Sequence, residues 1–292
     1  MRPYPRGRVP WETPVTTATP AVPRTPDDVP GWFWKVDQDL FSWFLSRQSA
    51  AGVSGDLLEL GTYLGRSAIL LGQYLQEGET FTVCDLFDSE APDESNSAEM
   101  AMSYRKTLTR AAFETNYLTF HPRLPEIVQA PTSALADGRI PAGSCRFVHI
   151  DASHLYEHVA GDIRVAREAL APDGLVVLDD YRSPHTPGVA AAVWEAVADL
   201  GLRPVCLTPE KFYGTWGDAE AAKEVLLSRD WQSEGFRTSE DLIAGSTVHR
   251  LAWDAPAPTR RPVSHPTARR LAHDLLPPIA FRALRRTLKG GV

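Results

Sequence analysis

Three aspartates sit where strands should end. Asp151 closes the apolar run Arg146-Phe147-Val148-His149-Ile150, and Asp179 and Asp180 close Gly174-Leu175-Val176-Val177-Leu178. Each run reads as a short, doubly buried strand of a parallel sheet. Carboxylates at the carboxyl ends of such strands face the crevice where open α/β sheets bind ligands. Gathered there, three carboxylates repel one another unless a cation joins them, and a hard divalent ion such as Mg²⁺ prefers oxygen ligands of this kind. Asp179 and Asp180 point to opposite faces of a regular strand. Either the strand ends between them and both reach one ion, or one binds metal and the other caps the next turn. His154 follows Asp151 by three residues and can reach the same pocket. An imidazole with an ordinary pKa of about 6.5 suits proton removal near neutrality, so His154 is a candidate base; the alternative is a histidine that orients the loop. His149, two positions before Asp151, is either a second support for the site or a packed core residue.

A second constellation lies upstream. Glu59-Leu60-Gly61-Thr62-Tyr63-Leu64-Gly65-Arg66-Ser67 joins an apolar strand to a helix. Its two glycines permit a tight turn and close backbone approach to a ligand, and the helix start offers unpaired N–H donors. The middle glycine of G-x-G-x-x-G is absent, which argues against a pyrophosphate-binding turn. A ligand with a small polar end, such as the amino-acid end of S-adenosylmethionine, fits better. Asp85 ends the following strand, where an acid commonly accepts from ribose hydroxyls. Ser133 either contacts an adenine or caps a helix.

The elements that must position these residues alternate. Strands are expected at 56–60, 81–86, 126–130, 146–151, 175–180, 203–207 and 247–253. Helices are expected at 32–47, 67–75, 103–116, 159–170, 189–200 and 218–229, with a polar loop from residue 89 onward. The pattern implies βαβ units with right-handed crossovers. The aromatic 32–47 helix either packs on the sheet or covers the crevice. Acceptor-contacting loops are expected at 181–188 and in Lys211-Phe212-Tyr213-Gly214-Thr215-Trp216; for the latter, a structural turn is the competing reading.

The chain of 292 residues is 43% hydrophobic, enough for a sizeable core. It divides into a Pro-rich mobile extension at 1–30, a domain at 31–254 and a basic Pro-containing helical tail at 255–292. The net charge of −7 argues against a nucleic-acid partner. The tail is the exception, with eight Lys/Arg against the single acid Asp274. It suits either an anionic membrane surface or packing on the domain or a partner subunit, a homo-oligomer included. Cys84, Cys145 and Cys206 lack metal or disulfide spacing and read as buried core residues of a cytoplasmic protein. No apolar run is long enough to span a membrane.

The residues 59–67, His149-Ile150-Asp151-Ala152-Ser153-His154-Leu155-Tyr156 and Leu178-Asp179-Asp180-Tyr181 together resemble class I S-adenosylmethionine-dependent methyltransferases. More narrowly, they resemble the metal-dependent group that includes catechol O-methyltransferases and sugar O-methyltransferases of macrolide and aminocoumarin biosynthesis. That resemblance covers about residues 32–254. It implies an α/β, Rossmann-like, seven-stranded, mostly parallel sheet with helices on both faces and the last strand antiparallel. It implies donor contacts at Glu59, Gly61, Tyr63, Ser67, Asp85 and Ser133; Thr62 and Gly65 of the same turn and Asp151, beside the sulfonium, complete the candidate donor site. It places Mg²⁺ on Asp151, Asp179 and Asp180, with His154 and Asp151 as catalytic residues. The expected acceptor is a hydroxyl of a small molecule or glycan, a sugar before a phenol or catechol. A dinucleotide-dependent oxidoreductase and a non-catalytic donor-binding scaffold are the competing functions.

Overall fold

Strand alternation sorts the apolar residues onto two faces of one sheet. Leu57, Phe81, Phe147 and Val177 face one side, while Leu58, Leu60, Val148, Ile150, Val176 and Leu178 face the other. The computed structural model describes residues 22–103, 107–243 and 245–253. Within them the elements run α1 (Lys35–Ala50), β1 (Asp56–Leu60), α2 (Arg66–Gly72), β2 (Phe81–Asp85), α3 (Glu94–Ser103), α4 (Arg110–Phe120) and β3 (Glu126–Gln129). They continue as β4 (Cys145–Ile150), α5 (Tyr156–Ala169), β5 (Leu170–Leu178), α6 (Pro187–Asp199), β6 (Arg203–Leu207), β7 (Phe212–Thr215), α7 (Ala219–Leu227), β8 (Phe236–Ile243) and β9 (Ser246–Trp253).

The nine strands form a single sheet in the order β3-β2-β1-β4-β5-β7-β6-β9-β8. β1 to β5 are parallel, as the alternation requires. β7 lies antiparallel between β5 and β6. The expected α/β class therefore holds, with differences in detail. The antiparallel strands are not 247–253: they are Phe236–Ile243 and Phe212–Thr215, the latter inside the stretch read as a loop or turn. Tyr213 and Phe212 are fully buried, so this short segment carries enough apolar surface to sit between two strands. The 246–253 strand pairs in parallel with β6 and closes a hairpin with β8, raising the count from seven to nine. β8 escapes the sequence because Arg237, Ser239, Glu240 and Asp241 make it read as polar.

Two other segments differ from expectation. α3 falls within the supposed polar loop: the Asp93 carboxylate accepts from the Asn96 N–H at 2.9 Å and starts the helix as an N-cap. The last residues of the expected extension are docked rather than loose. Val29 is fully buried, and Arg66 donates to the Val29 carbonyl at 2.6 Å and the Asp27 carbonyl at 2.8 Å. The basic tail lies outside the described residues. All three cysteines are buried and unpaired. No helix among the described residues is long and apolar enough to cross a membrane.

Candidate active site

The turn after β1 is built by backbone constraint. Gly61 has φ +78°, and a Cβ there would lie 2.0 Å from the Asp151 carbonyl oxygen. Gly65 has φ +94° and would press its Cβ to 2.9 Å from the Phe113 ring. Both glycines are thus demanded by the protein's own packing, beyond any need to admit a ligand. Asp85, at the end of β2, ties the turn down. Its Oδ2 accepts from the N–H groups of Thr62 (2.8 Å) and Tyr63 (3.0 Å), and its Oδ1 from Phe87 N–H (2.7 Å). Burial raises the Asp85 carboxyl above its ordinary pKa, and the three N–H donors oppose that rise.

Above this turn opens a cavity of about 220 Å³, with Gly61, Tyr63, Asp85, Ser133 and Asp151 in its wall. Trp32 and Phe33, just before α1, form part of its cover, with the Trp32 and Tyr63 rings 5.6 Å apart. The two readings of the aromatic segment both apply. Its first residues roof the cavity, while Val36, Leu40, Phe41, Phe44 and Leu45 of α1 are buried against the sheet.

At the carboxyl ends of β4 and β5 lies an acidic pole. β5 stops at Leu178, and Asp180 takes a left-handed φ of +58°. That turn separates the neighbouring acids. The Asp179 Oδ1 accepts from the Asp180 N–H at 2.8 Å. Asp180 accepts from Ser183 Oγ at 2.5 Å and lies 3.1 Å from His154 Nε2. Burial works against the Asp180 carboxylate, but His154 and Ser183 hold it below the ordinary carboxylate pKa.

On the other side stands Lys211, 1% exposed at the mouth of β7. Its Nζ donates to Asp179 Oδ2, lies 3.0 Å from His149 Nε2, and is 4.0 Å from Asp151 Oδ2. Burial alone would depress this lysine; the carboxylates of Asp179, Asp151 and Asp37 raise it above its ordinary value. His149 Nδ1 lies 2.8 Å from Glu59 Oε1, so a proton on Nδ1 donates to Glu59 and leaves Nε2 to accept from Lys211. Burial and the Lys211 charge keep His149 neutral, well below its ordinary pKa. Burial pushes the Glu59 carboxyl up to about 7 and Asp37 likewise to about 7.

Residues 58–181 match the methyltransferase-domain family. Over that stretch the chain carries the sequence pattern of a methyltransferase domain. The solved O-methyltransferase NovP superposes with a TM-score of 0.50 at 19% identity, over 62% of this chain and 79% of that one, and shares the fold. CalS11, a TDP-rhamnose 3′-O-methyltransferase of calicheamicin biosynthesis, gives 0.42 at 20% identity, over 66% and 84% of the two chains. An O-methyltransferase from Bacillus cereus in complex with SAH gives 0.44 at 15%, over 64% and 84%. No curated protein matches the sequence significantly.

The fold brings most of the anticipated donor residues together. Gly61, Thr62, Tyr63, Ser67, Asp85, Ser133 and Asp151 line the cavity. Glu59 and Gly65 do not: Glu59 is fully buried beneath the turn against His149, and Gly65 caps α2. Sequence reasoning passed over Asp162 of α5, which is 1% exposed, lines the cavity and has a buried Oδ2 without a hydrogen-bond partner. A mid-helix acid carries no local signal of that position. Lys211 was expected only as part of an acceptor-contacting stretch; its bonds to Asp179 and His149 were not anticipated, although a lysine opening a run of buried aromatics needs a charge partner.

Whether Mg²⁺ fits can be judged from the donor set. The group of potential ligands that converges within 4.8 Å is His149, Asp151 and Asp179. Asp180 is turned toward His154 instead. Mg²⁺ seeks near-octahedral oxygen coordination at about 2.0–2.1 Å. Here one of the three groups is an imidazole, and an ammonium already holds both Asp179 and that imidazole. With Lys211 in this position the arrangement does not fit the ion.

Proposed function

We propose that this chain is an S-adenosylmethionine-dependent methyltransferase that alkylates a hydroxyl of a small molecule or glycan, a sugar hydroxyl before a phenol. The observation that carries the reading is one shared wall. Asp151, Ala152 and Ser153 line the donor cavity and also a second, smaller cavity bordered by His154 and Asp179. Donor and base-bearing surfaces therefore meet at the end of β4. The preference for a sugar rests on the resemblance of the His154-bearing segment to the sugar-modifying group.

The bound donor supplies a methyl group already activated on a sulfonium, so the protein's work is positioning and proton removal. In-line transfer forms a carbon–oxygen bond as the carbon–sulfur bond breaks and its electron pair returns to sulfur. The hydroxyl proton goes to His154. The Asp180 carboxylate, 3.1 Å from Nε2, favours the Nε2–H tautomer and places the basic lone pair on Nδ1. Asp151, whose carboxyl burial and the Asp179 charge raise well above the ordinary carboxylate range, borders the sulfonium end of the cavity, and the Asp85-tied turn fixes the floor.

The test has two stages. Titration calorimetry with S-adenosylhomocysteine should show binding to the wild type; absence of binding sinks the reading. A panel of sugars and phenols with labelled donor then identifies the acceptor. With that acceptor, His154→Ala should lower kcat by roughly 10²-fold or more while donor affinity stays unchanged. Full activity in that variant removes His154 from the proton path.

A further inference from the structure

We propose that the Lys211 ammonium is the resident cation of the acceptor site, joining Asp179, Asp151 and His149 where a divalent ion would otherwise sit. The inference rests on the O-methyltransferase reading and adds that the reaction runs without metal. Three observations converge. First, Nζ reaches groups from two strand ends: Asp179 after β5, and His149 and Asp151 at the end of β4. These are the same three groups that gather as potential metal ligands.

Second, the lysine is held in place by construction. The Thr208 N–H donates to the Lys211 carbonyl at 2.9 Å, and the Lys211 N–H donates to Thr208 Oγ1 at 2.8 Å. Thr208 Oγ1 and the Tyr213 hydroxyl in turn donate to Asp37 Oδ1 at 2.9 and 2.8 Å. The turn carrying Lys211 is thus anchored to α1, and the Phe33 ring lies over Nζ at 5.7 Å. Third, His149 offers its Nε2 lone pair to Nζ because its Nδ1 proton serves Glu59. An ion coordinated by Asp179 and His149 would need the lone pairs that the ammonium uses. Two cations a few ångströms apart would also repel strongly in a buried setting. Lysine and metal are therefore alternatives. Lys211 acts as a positioning residue: it fixes the two acids and supplies positive charge beside the acceptor oxygen.

Removing the ammonium should open a metal site. Mn²⁺ reports this by the electron paramagnetic resonance signal of the free ion, and an imidazole plus two carboxylates suits it. The wild type should bind Mn²⁺ weakly, whereas Lys211→Met, which keeps the stem, should bind at least about tenfold more tightly. Adding Asp179→Asn to Lys211→Met should abolish the gain; a merely structural lysine predicts no gain to abolish. Lys211→Arg should resemble the wild type. The inference is overturned if the wild type binds Mn²⁺ as tightly as Lys211→Met, or if folded Lys211→Met shows no gain. Should Lys211→Met not fold, the wild-type titration decides alone, tight binding refuting and weak binding upholding. Donor titration on the same samples separates outcomes: absent S-adenosylhomocysteine binding defeats the methyltransferase reading, while the Mn²⁺ result bears on Lys211.

Discussion

Replacing Gly61 by alanine separates two physical effects that the turn after β1 combines. The first is backbone strain. Gly61 has φ +78°, and holding an L-residue in the left-handed region costs roughly 1–2 kcal/mol. Gly78 has nearly the same φ, +85°, and a Cβ there would meet nothing within 4 Å, so Gly78→Ala measures strain alone. The second effect is collision. At Gly61 the new Cβ would fall 2.0 Å from the Asp151 carbonyl oxygen and 2.6 Å from the Ala152 Cα. Both obstacles are backbone of the loop leaving β4, and no side-chain rotation relieves them. Forced overpacking costs a further 1–3 kcal/mol, roughly, so Gly61→Ala should lose about 2–5 kcal/mol against about 1–2 for Gly78→Ala. Because the loop that must yield carries Asp151 in the cavity wall, Gly61→Ala should also weaken S-adenosylhomocysteine binding, and Gly78→Ala should not. Urea unfolding gives the stabilities and calorimetry the affinities. Equal losses in the two variants would refute the argument that the β4 loop, rather than φ, dictates glycine at position 61.

Other outcomes follow from buried charge. Burial pushes the Asp162 carboxyl from an ordinary 3.8 up to about 7, opposed by a hydrogen bond from Thr132. The folded state therefore holds this proton more tightly than the unfolded chain. That contribution is complete below about pH 4 and is lost as pH rises through about 7, a span worth roughly 2–4 kcal/mol. Asp162→Asn should lack this decline, so the stability difference between variant and wild type, from urea midpoints at acidic and mildly alkaline pH, should shift toward the variant; a constant difference excludes the effect. Glu79 receives a two-pronged bond from fully buried Arg146, with Nε and Nη2 each 2.8 Å from a carboxylate oxygen. Glu79→Ala leaves that guanidinium uncompensated and should cost about 3–5 kcal/mol, read by urea unfolding; a loss under about 1 kcal/mol would be in the range of an exposed pair. Asp85→Ala releases the Thr62 and Tyr63 N–H groups and should weaken donor binding by at least about tenfold. Unchanged affinity by calorimetry would show that the turn keeps its shape without the aspartate.

Much of the glycine turn and the cavity wall was legible because their signals are local. A glycine's φ, a strand's apolar alternation and an acid at a strand end are written within a few consecutive residues, and Gly61, Asp85 and Asp151 each declare their place that way. The parallel α/β core and the glycine turn that borders the cavity could therefore be read from the order of residues alone. Which groups share charge could not. Asp179 and Asp180 are neighbours in the chain, yet a left-handed φ at Asp180 sends one to Lys211 and the other to His154. Lys211 lies 60 positions from Asp151, and nothing local shows that β7 inserts beside β5 and delivers an ammonium to the ends of β4 and β5. Register and burial set such pairings through distance and dielectric, and both quantities exist only once the chain has folded.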